Sequence, residues 1–356
     1  MEEKKFMKGC EAVAEAAIRA GCRFYAGYPI TPQNDVPEYF SRRMPQVGGV
    51  FLQGESEVAS ANMLYAGAVS GTRSMTTSSS CGISLMSEAI SWMAMNHLPA
   101  VIGNFQRGGP GIGSIKPSQQ DYFQVTKAHG NGGFQMLVLA PSTLQEAADM
   151  TYEAFDLADK YSFPVYLLLD GFTGTMMETV TMPPMKSEEE VAAIKASKTW
   201  VPRGREKDGT MHGSPVRGAR IDMNRREAEM YEQWKRDEVK WEEYLTDDAE
   251  LIITSYGISA RIARSVVTDM RKEGYKVGLI RPIRVNPFPV AAYEKLDFGK
   301  LRGILCTEMC IPALFAVDVQ NVVHGRTPID TALSSGGEII TADAIYEAAV
   351  KMYGNK

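Results

Sequence analysis

Along the chain, short apolar runs alternate with longer stretches in which apolar residues recur every three or four positions. The first pattern predicts buried strands and the second predicts helices with one packed face. A helix is predicted from Gly9 to Ala20 through Val13, Ala14, Ala17 and Ile18, with Gly21 as its stop. The strand Arg23 to Gly27, a helix near Asn34 to Arg43 and the strand Val50 to Leu52 follow. Ser56 is placed to cap a helix running through Val58, Ala59, Asn62, Tyr65, Ala66 and Val69. Further strands are expected at Ser74 to Thr77, Ala100 to Asn104, Phe134 to Leu139 and Val165 to Asp170. Between them lie a helix opened by the small-residue turn Ser78 to Gly82 and another from Thr143 to Lys160. This alternation predicts an α/β, doubly wound parallel sheet over residues 1–181.

The pattern then changes. Residues 182–248 hold no apolar run of strand type, and charges crowd Asn224 to Glu243. Tyr231, Trp234, Trp241 and Tyr244 recur at about helical spacing, which predicts a polar helix in a connecting arm packed across the first domain. Residues 249–356 restart the alternation as a smaller α/β domain. Its expected parts are a strand at Leu251 to Gly257, a helix through Ile262, Ala263, Val266 and Met270, and a strand from Lys276 to Ile280. A proline-rich crossover from Pro282 to Pro289, a strand from Gly303 to Cys306 leading into Glu308, and a last helix from Asp343 to Met352 complete it.

Composition narrows the function classes. The 356 residues are 44% hydrophobic and 23% charged, enough for two ordinary cores. A net charge of -5 with no basic block excludes a nucleic-acid surface as the expectation. No apolar stretch reaches the roughly 20 residues of a membrane span, and no apolar signal core follows Met1 to Lys5, so a cytoplasmic protein without a membrane partner is expected. Cys10, Cys22, Cys81, Cys306 and Cys310 and the four histidines lack the paired spacing of metal ligands, so buried thiols and no metal site are expected.

Three clusters carry candidate chemistry. Pro29 and Pro32 force the chain out of a strand at Tyr28-Pro29-Ile30-Thr31-Pro32, so Thr31 is held on a rigid turn at a carboxyl strand end, where ligands of open α/β sheets collect. Gly54-Glu55-Ser56-Glu57 places two acids at the start of a helix, and Gln106-Arg107-Gly108-Gly109-Pro110 puts an arginine into a glycine-rich loop. A hydroxyl, an acid and a guanidinium suit a small keto acid, although each has a plainer reading. Glu57 could simply satisfy a helix dipole, Arg107 could be a surface loop residue, and Thr31 a turn residue. The glycine loop is no phosphate loop, because Pro117 follows Lys116, and it lacks the dinucleotide spacing. A Gly-Asp-Gly diphosphate motif is missing as well, so any phosphate cofactor must be held largely by another chain. A nucleotide-binding α/β protein or a non-catalytic scaffold subunit is compatible with the same fold.

Taken together, Gly27 to Pro32, Gly54 to Glu57, Gln106 to Pro110, Glu308 after its strand and the Gly336-Gly337 turn resemble the alpha subunit of the 2-oxoacid:ferredoxin oxidoreductases. The resemblance implies a thiamine-diphosphate pyrimidine-binding domain joined to a transketolase C-terminal-like domain. It implies oxidative decarboxylation of a 2-oxoacid to acyl-CoA, carbon dioxide and reduced ferredoxin, with coenzyme A as a substrate. It assigns the diphosphate, magnesium and 4Fe-4S clusters to partner subunits: a beta subunit, a separate gamma subunit, and a ferredoxin-like delta subunit or external ferredoxin, assembled as a dimer of heteromers. Carried over residue by residue, Glu57 contacts the pyrimidine nitrogen of thiamine, with Tyr28, Pro29 and Ile30 beside it. Arg107 binds the substrate carboxylate, Thr31 contacts the substrate, and Ile112 and Lys116 shape the pocket. Relatives that use 2-oxoglutarate tend to read Gly-Gly-Pro-Ser-Thr-Gly where this chain has Gly108-Gly109-Pro110-Gly111-Ile112-Gly113. Ile112 and Ile115 therefore favour a branched-chain acid such as 3-methyl-2-oxobutanoate, and Lys116 keeps 2-oxoglutarate as the alternative.

Overall fold

The computed structural model describes residues 3–202, 204–205, 211–212 and 221–354. Strand β1 (Lys4–Lys8) leads into α1 (Gly9–Arg19), followed by β2 (Phe24–Gly27), α2 (Asp35–Arg43), β3 (Val50–Gln53), α3 (Glu57–Val69), β4 (Ser74–Ser78), α4 (Cys81–Asn96) and β5 (Val101–Gln106). The short α5 (Tyr122–Thr126), β6 (Leu137–Leu139), α6 (Leu144–Tyr161), β7 (Val165–Asp170), α7 (Gly171–Thr175) and β8 (Met177–Thr181) close the first unit. Local chemistry sets the helix starts. The Ser56 hydroxyl accepts from the Ala59 amide at 3.2 Å, and the Thr143 hydroxyl accepts from the Glu146 amide at 3.1 Å.

Between the units lie α8 (Glu188–Ala196), the two-residue strands β9 (Gly204–Arg205) and β10 (Met211–His212), and α9 (Ile221–Asp237). The second unit comprises β11 (Trp241–Tyr244), β12 (Leu251–Thr254), α10 (Gly257–Lys272), β13 (Val277–Pro282), β14 (Arg284–Asn286), α11 (Val290–Glu294), β15 (Gly303–Glu308), α12 (Phe315–Val323), β16 (Ile329–Leu333) and α13 (Ala342–Gly354).

The main sheet runs β14-β6-β7-β5-β4-β2-β3, parallel throughout except for β14 at one edge. Strands β4, β5 and β7 are buried along their whole length, as in a sheet covered on both faces; β7 is a near-continuous apolar run, whereas β4 buries small polar residues. The second sheet runs β11-β13-β12-β15-β16. No helix among the described residues is long and apolar enough to cross a membrane.

Five strands depart from the pattern. Strands β1 and β8 form an antiparallel pair that the sequence does not announce, because Lys4 to Lys8 and Met177 to Thr181 mix polar and apolar residues without an apolar run. Trp241 and Tyr244 are not on the arm helix. That helix ends at Asp237 with Tyr231 and Trp234 packed against Tyr161 and Phe163, while Trp241 to Tyr244 pair antiparallel with β13. Over four residues, a three-residue aromatic spacing suits either state, and the buried strand waiting alongside decides. The proline-rich crossover contributes β14, which leaves the second unit and pairs with β6 of the first. Strand β6 itself is confined to Leu137–Leu139, shorter than the run that begins at Phe134.

Buried polar contacts join the units. The Gln119 side chain donates to the Tyr256 carbonyl at 2.9 Å and accepts from Ser259 Oγ at 2.6 Å and the Met309 amide at 2.9 Å. Tyr122 donates to Asp318 at 2.7 Å, and Arg281 pairs with Glu146 at 2.6 Å.

Candidate functional site

Four neighbouring parallel strands, β3, β2, β4 and β5, deliver their carboxyl ends to one edge of the sheet. After β2 comes the turn 28–32, after β3 the start of α3 with Glu57, after β4 the start of α4, and after β5 Arg107. Three of the sequence clusters thus meet at a single edge, with the first turn of α4 between them.

Arg107 is buried and reaches all its neighbours through backbone or sulfur acceptors. Its Nη1 donates to the Thr31 carbonyl at 2.9 Å, and its Nη2 donates to the Ile112 carbonyl at 3.0 Å and to Cys81 Sγ at 3.2 Å. Of the five guanidinium N–H groups, Nε lies buried without a partner. Arg107 therefore brings the Thr31 turn and the Ile112 loop together. The Thr31 hydroxyl accepts from Asn34 Nδ2 at 3.2 Å.

Glu57 occupies the first position of α3 and is 6% exposed, yet its carboxylate accepts no hydrogen bond from any described residue. It lies against the first turn of α4. A methyl group at Gly82 would stand 2.7 Å from Glu57 Oε1 and would overlap the Ser78 hydroxyl, which is itself buried without a partner. Only glycine lets the acid and the helix approach so closely. An unpaired carboxylate and an orphaned hydroxyl offer an acceptor and a donor to the polar edge of a heteroaromatic ring, so the residues present suit the pyrimidine half of thiamine. Glu55, two residues earlier, is exposed and outside the helix.

The remaining candidates line the rim. Pro29 is exposed, and Tyr28 and Ile30 are half-buried. Ile112 is 83% exposed, and Lys116 is exposed with its stem packed on Gly337, whose φ of +85° keeps side chains away. Gly337 belongs to the second unit, so the loop after Arg107 rests on both units. Two cavities, one beside Trp92 and Glu227 and one beside Arg264 and Glu242, lie away from this edge.

Several contributors are invisible in the sequence pattern. Ser80, at φ +36°, donates from its Oγ to Asp121 at 2.6 Å and accepts the Arg107 amide at 3.0 Å. Asn104 Nδ2 donates to the same Asp121 oxygen at 3.1 Å. Burial pushes the Asp121 carboxyl up to about 6, against the pull of Ser80, Asn104 and the Arg107 charge. The small-residue run Ser78 to Gly82 was the only sequence signal for this corner. Glu308, buried behind the edge, accepts the amides of Leu314, Phe315 and Ala316 at 3.0–3.1 Å and so anchors the start of α12. Burial raises its pKa against those three amides.

The chain is 44% identical over 306 residues to the ketoisovalerate oxidoreductase subunit VorB of Methanothermobacter thermautotrophicus, covering 84% of this chain and 85% of that protein. It is 32% identical over 381 residues to the 2-oxoglutarate synthase subunit KorA of the same organism, covering 99% and 100%. Its fold matches a 2-oxoglutarate:ferredoxin oxidoreductase from Magnetococcus marinus, solved with 2-oxoglutarate, coenzyme A and succinyl-CoA bound, with a TM-score of 0.82 at 24% identity over 99% of this chain and 66% of that chain. A split-gene transketolase matches with a TM-score of 0.61 at 13% identity over 98% of this chain and 99% of that one, a likeness of fold alone. Residues 249–345 match the pyruvate:ferredoxin oxidoreductase core domain II. Residues 15–246, which hold the whole edge built by Thr31, Glu57 and Arg107, match the thiamine-diphosphate-binding model of pyruvate flavodoxin/ferredoxin oxidoreductase, and the chain belongs to that family.

Proposed function

We propose that this chain is the alpha subunit of a 2-oxoacid:ferredoxin oxidoreductase that converts 3-methyl-2-oxobutanoate, or another branched-chain 2-oxoacid, to acyl-CoA, carbon dioxide and reduced ferredoxin. The observation that carries the reading is Glu57, a 6% exposed residue whose carboxylate has no hydrogen-bond partner among the described residues and which lies against Gly82, next to the Cys81 that Arg107 touches. Thiamine diphosphate, when bound, supplies a carbon nucleophile for the keto group and a sink for the electrons left after decarboxylation.

In this reading Glu57 holds a proton at the pyrimidine nitrogen, and the close contact with Gly82 fixes where its carboxylate stands. Arg107 receives the substrate carboxylate. Its Nε and a remaining Nη1 hydrogen are free, and the exposed 111–116 loop can yield the donor now given to the Ile112 carbonyl. The Thr31 hydroxyl, on the turn whose carbonyl Arg107 grips, contacts the keto side of the substrate. Tyr28, Pro29 and Ile30 flank the cofactor ring.

Ile112 and Ile115 support an apolar substrate side chain, as does the higher identity to the ketoisovalerate subunit than to the 2-oxoglutarate subunit. Lys116 favours the second reading, 2-oxoglutarate, because it places a cation on the same loop. The chain carries no diphosphate motif, and no group of His, Cys, Asp or Glu able to hold a metal is present among the described residues. A beta subunit accordingly holds the diphosphate, magnesium and 4Fe-4S clusters, with a separate gamma subunit and a delta subunit or external ferredoxin taking the electrons, in a dimer of heteromers. The test is a substrate panel on the reconstituted complex with coenzyme A, following reduction of a low-potential dye. A kcat/KM for 3-methyl-2-oxobutanoate about tenfold or more above that for 2-oxoglutarate is expected. The reverse order selects the second reading, and no turnover with any 2-oxoacid removes both.

A further inference from the structure

Ser80 sits in a backbone conformation that L-residues avoid, with φ +36° and ψ −90°, immediately before α4. Three side chains from one neighbourhood hold it there. Its amide donates to Asn104 Oδ1 at 3.1 Å, its carbonyl accepts from Gln124 Nε2 at 3.1 Å, and its hydroxyl donates to Asp121 Oδ2 at 2.6 Å. The same hydroxyl stands 3.0 Å from the Arg107 amide and 3.2 Å from the Arg107 carbonyl.

A hydroxyl has one hydrogen. While the Asp121 carboxylate takes it, only lone pairs face Arg107, and the amide of Arg107 is the group they can satisfy. Without that carboxylate the hydrogen is free to turn to the Arg107 carbonyl, and the orientation of the hydroxyl's lone pairs toward the Arg107 amide is no longer fixed. We propose that Asp121, acting through the Ser80 hydroxyl, is a positioning residue that sets the backbone of Arg107 and thereby aims its guanidinium at the substrate carboxylate. Asp121 also faces the Arg107 charge, and its own amide donates to Gln106 Oε1 at 3.3 Å, so the residues on both sides of the Arg107 peptide bond are tied to it. Two residues earlier, Gln119 is locked to Tyr256, Ser259 and Met309 of the second unit, which fixes the segment that carries Asp121.

The inference rests on the carboxylate-binding role proposed for Arg107, and the experiment separates the two. Ser80→Gly removes the hydroxyl while supplying the residue that best tolerates a positive φ, so the turn is kept. Asp121→Asn keeps the shape and removes the charge. In the isolated chain, both are expected to speed hydrogen exchange of the Arg107 amide by about tenfold or more, leaving β4 and α4 amides unchanged. In the reconstituted complex both are expected to raise the KM for the 2-oxoacid by about tenfold with kcat within about twofold and the KM for coenzyme A unchanged. A residue that merely held the turn would be rescued by Ser80→Gly. Unchanged exchange at Arg107 in both variants, or an unchanged 2-oxoacid KM in both while Arg107→Lys raises it, overturns the proposal. If Arg107→Lys itself leaves that KM unchanged, the carboxylate role of Arg107 fails, and the exchange measurement still decides whether the network seats its backbone.

Discussion

Glu55 and Glu57 share a charge and a cluster but meet different surroundings, one exposed ahead of α3 and one 6% exposed against Gly82. In the assembled enzyme, Glu57→Gln is expected to slow proton exchange at the reactive carbon of bound thiamine diphosphate by roughly two to four orders of magnitude, the range for losing a positioned acid–base group. Glu55→Gln is expected to change it little; equal effects would reassign the carboxylate. Asp121 makes a second residue-scale prediction through pH. Its folded pKa of about 6 lies above its ordinary value of 3.8, so the native state holds the proton more tightly than the unfolded chain. Stability from this group is therefore fully present below about 4 and declines as pH rises to about 6, by at most roughly 2–3 kcal/mol. Urea denaturation across that window should show wild-type stability falling relative to Asp121→Asn and then running parallel to it. A difference that grows with pH would mean that Arg107, Ser80 and Asn104 outweigh burial. The charged or titratable groups facing Asp121 are Arg107, Tyr166, Tyr256 and Cys310.

At the scale of elements, Gln119 shows how a single side chain docks one unit on the other. Gln119→Ala would leave the buried Ser259 hydroxyl, Met309 amide and Tyr256 carbonyl without this partner. A loss of about 2–4 kcal/mol is expected from such unsatisfied groups, read as a lower denaturation midpoint, with an unchanged midpoint counting against the docking role. Elements whose causes are local were legible beforehand. The α3 helix begins where Ser56 caps it, and α6 begins where Thr143 does, because the cap and the apolar period lie within one stretch of chain. Elements whose causes are distant were not. Trp241 to Tyr244 becomes a strand only because β13 offers an edge, and Arg284 to Asn286 only because β6 does. The site divides the same way. Thr31, Glu57 and Arg107 stand out by residue type and motif, whereas Ser80, Asn104 and Asp121 matter through hydrogen bonds between residues 17 to 41 positions apart, which no spacing rule records.

For the whole molecule, the proposed sharing of the cofactor with a beta subunit makes a prediction. The purified chain alone is expected to be colourless and to lose thiamine diphosphate on gel filtration, while the complex with the proposed beta subunit retains it. Visible absorbance from this chain alone would contradict the assignment of clusters to partners. The strand β14 has a further consequence. The two family segments meet at residues 246 and 249, yet Arg284 to Asn286, well past that seam, completes the edge of the first sheet beside Val138 and Leu139. The boundary in the genetic text is therefore not a boundary in the object. A gene split at the seam would yield an amino-terminal product whose β6 lies bare, an apolar edge ready to recruit another copy of itself. That product should precipitate when made alone and stay in solution when the other half is made alongside it.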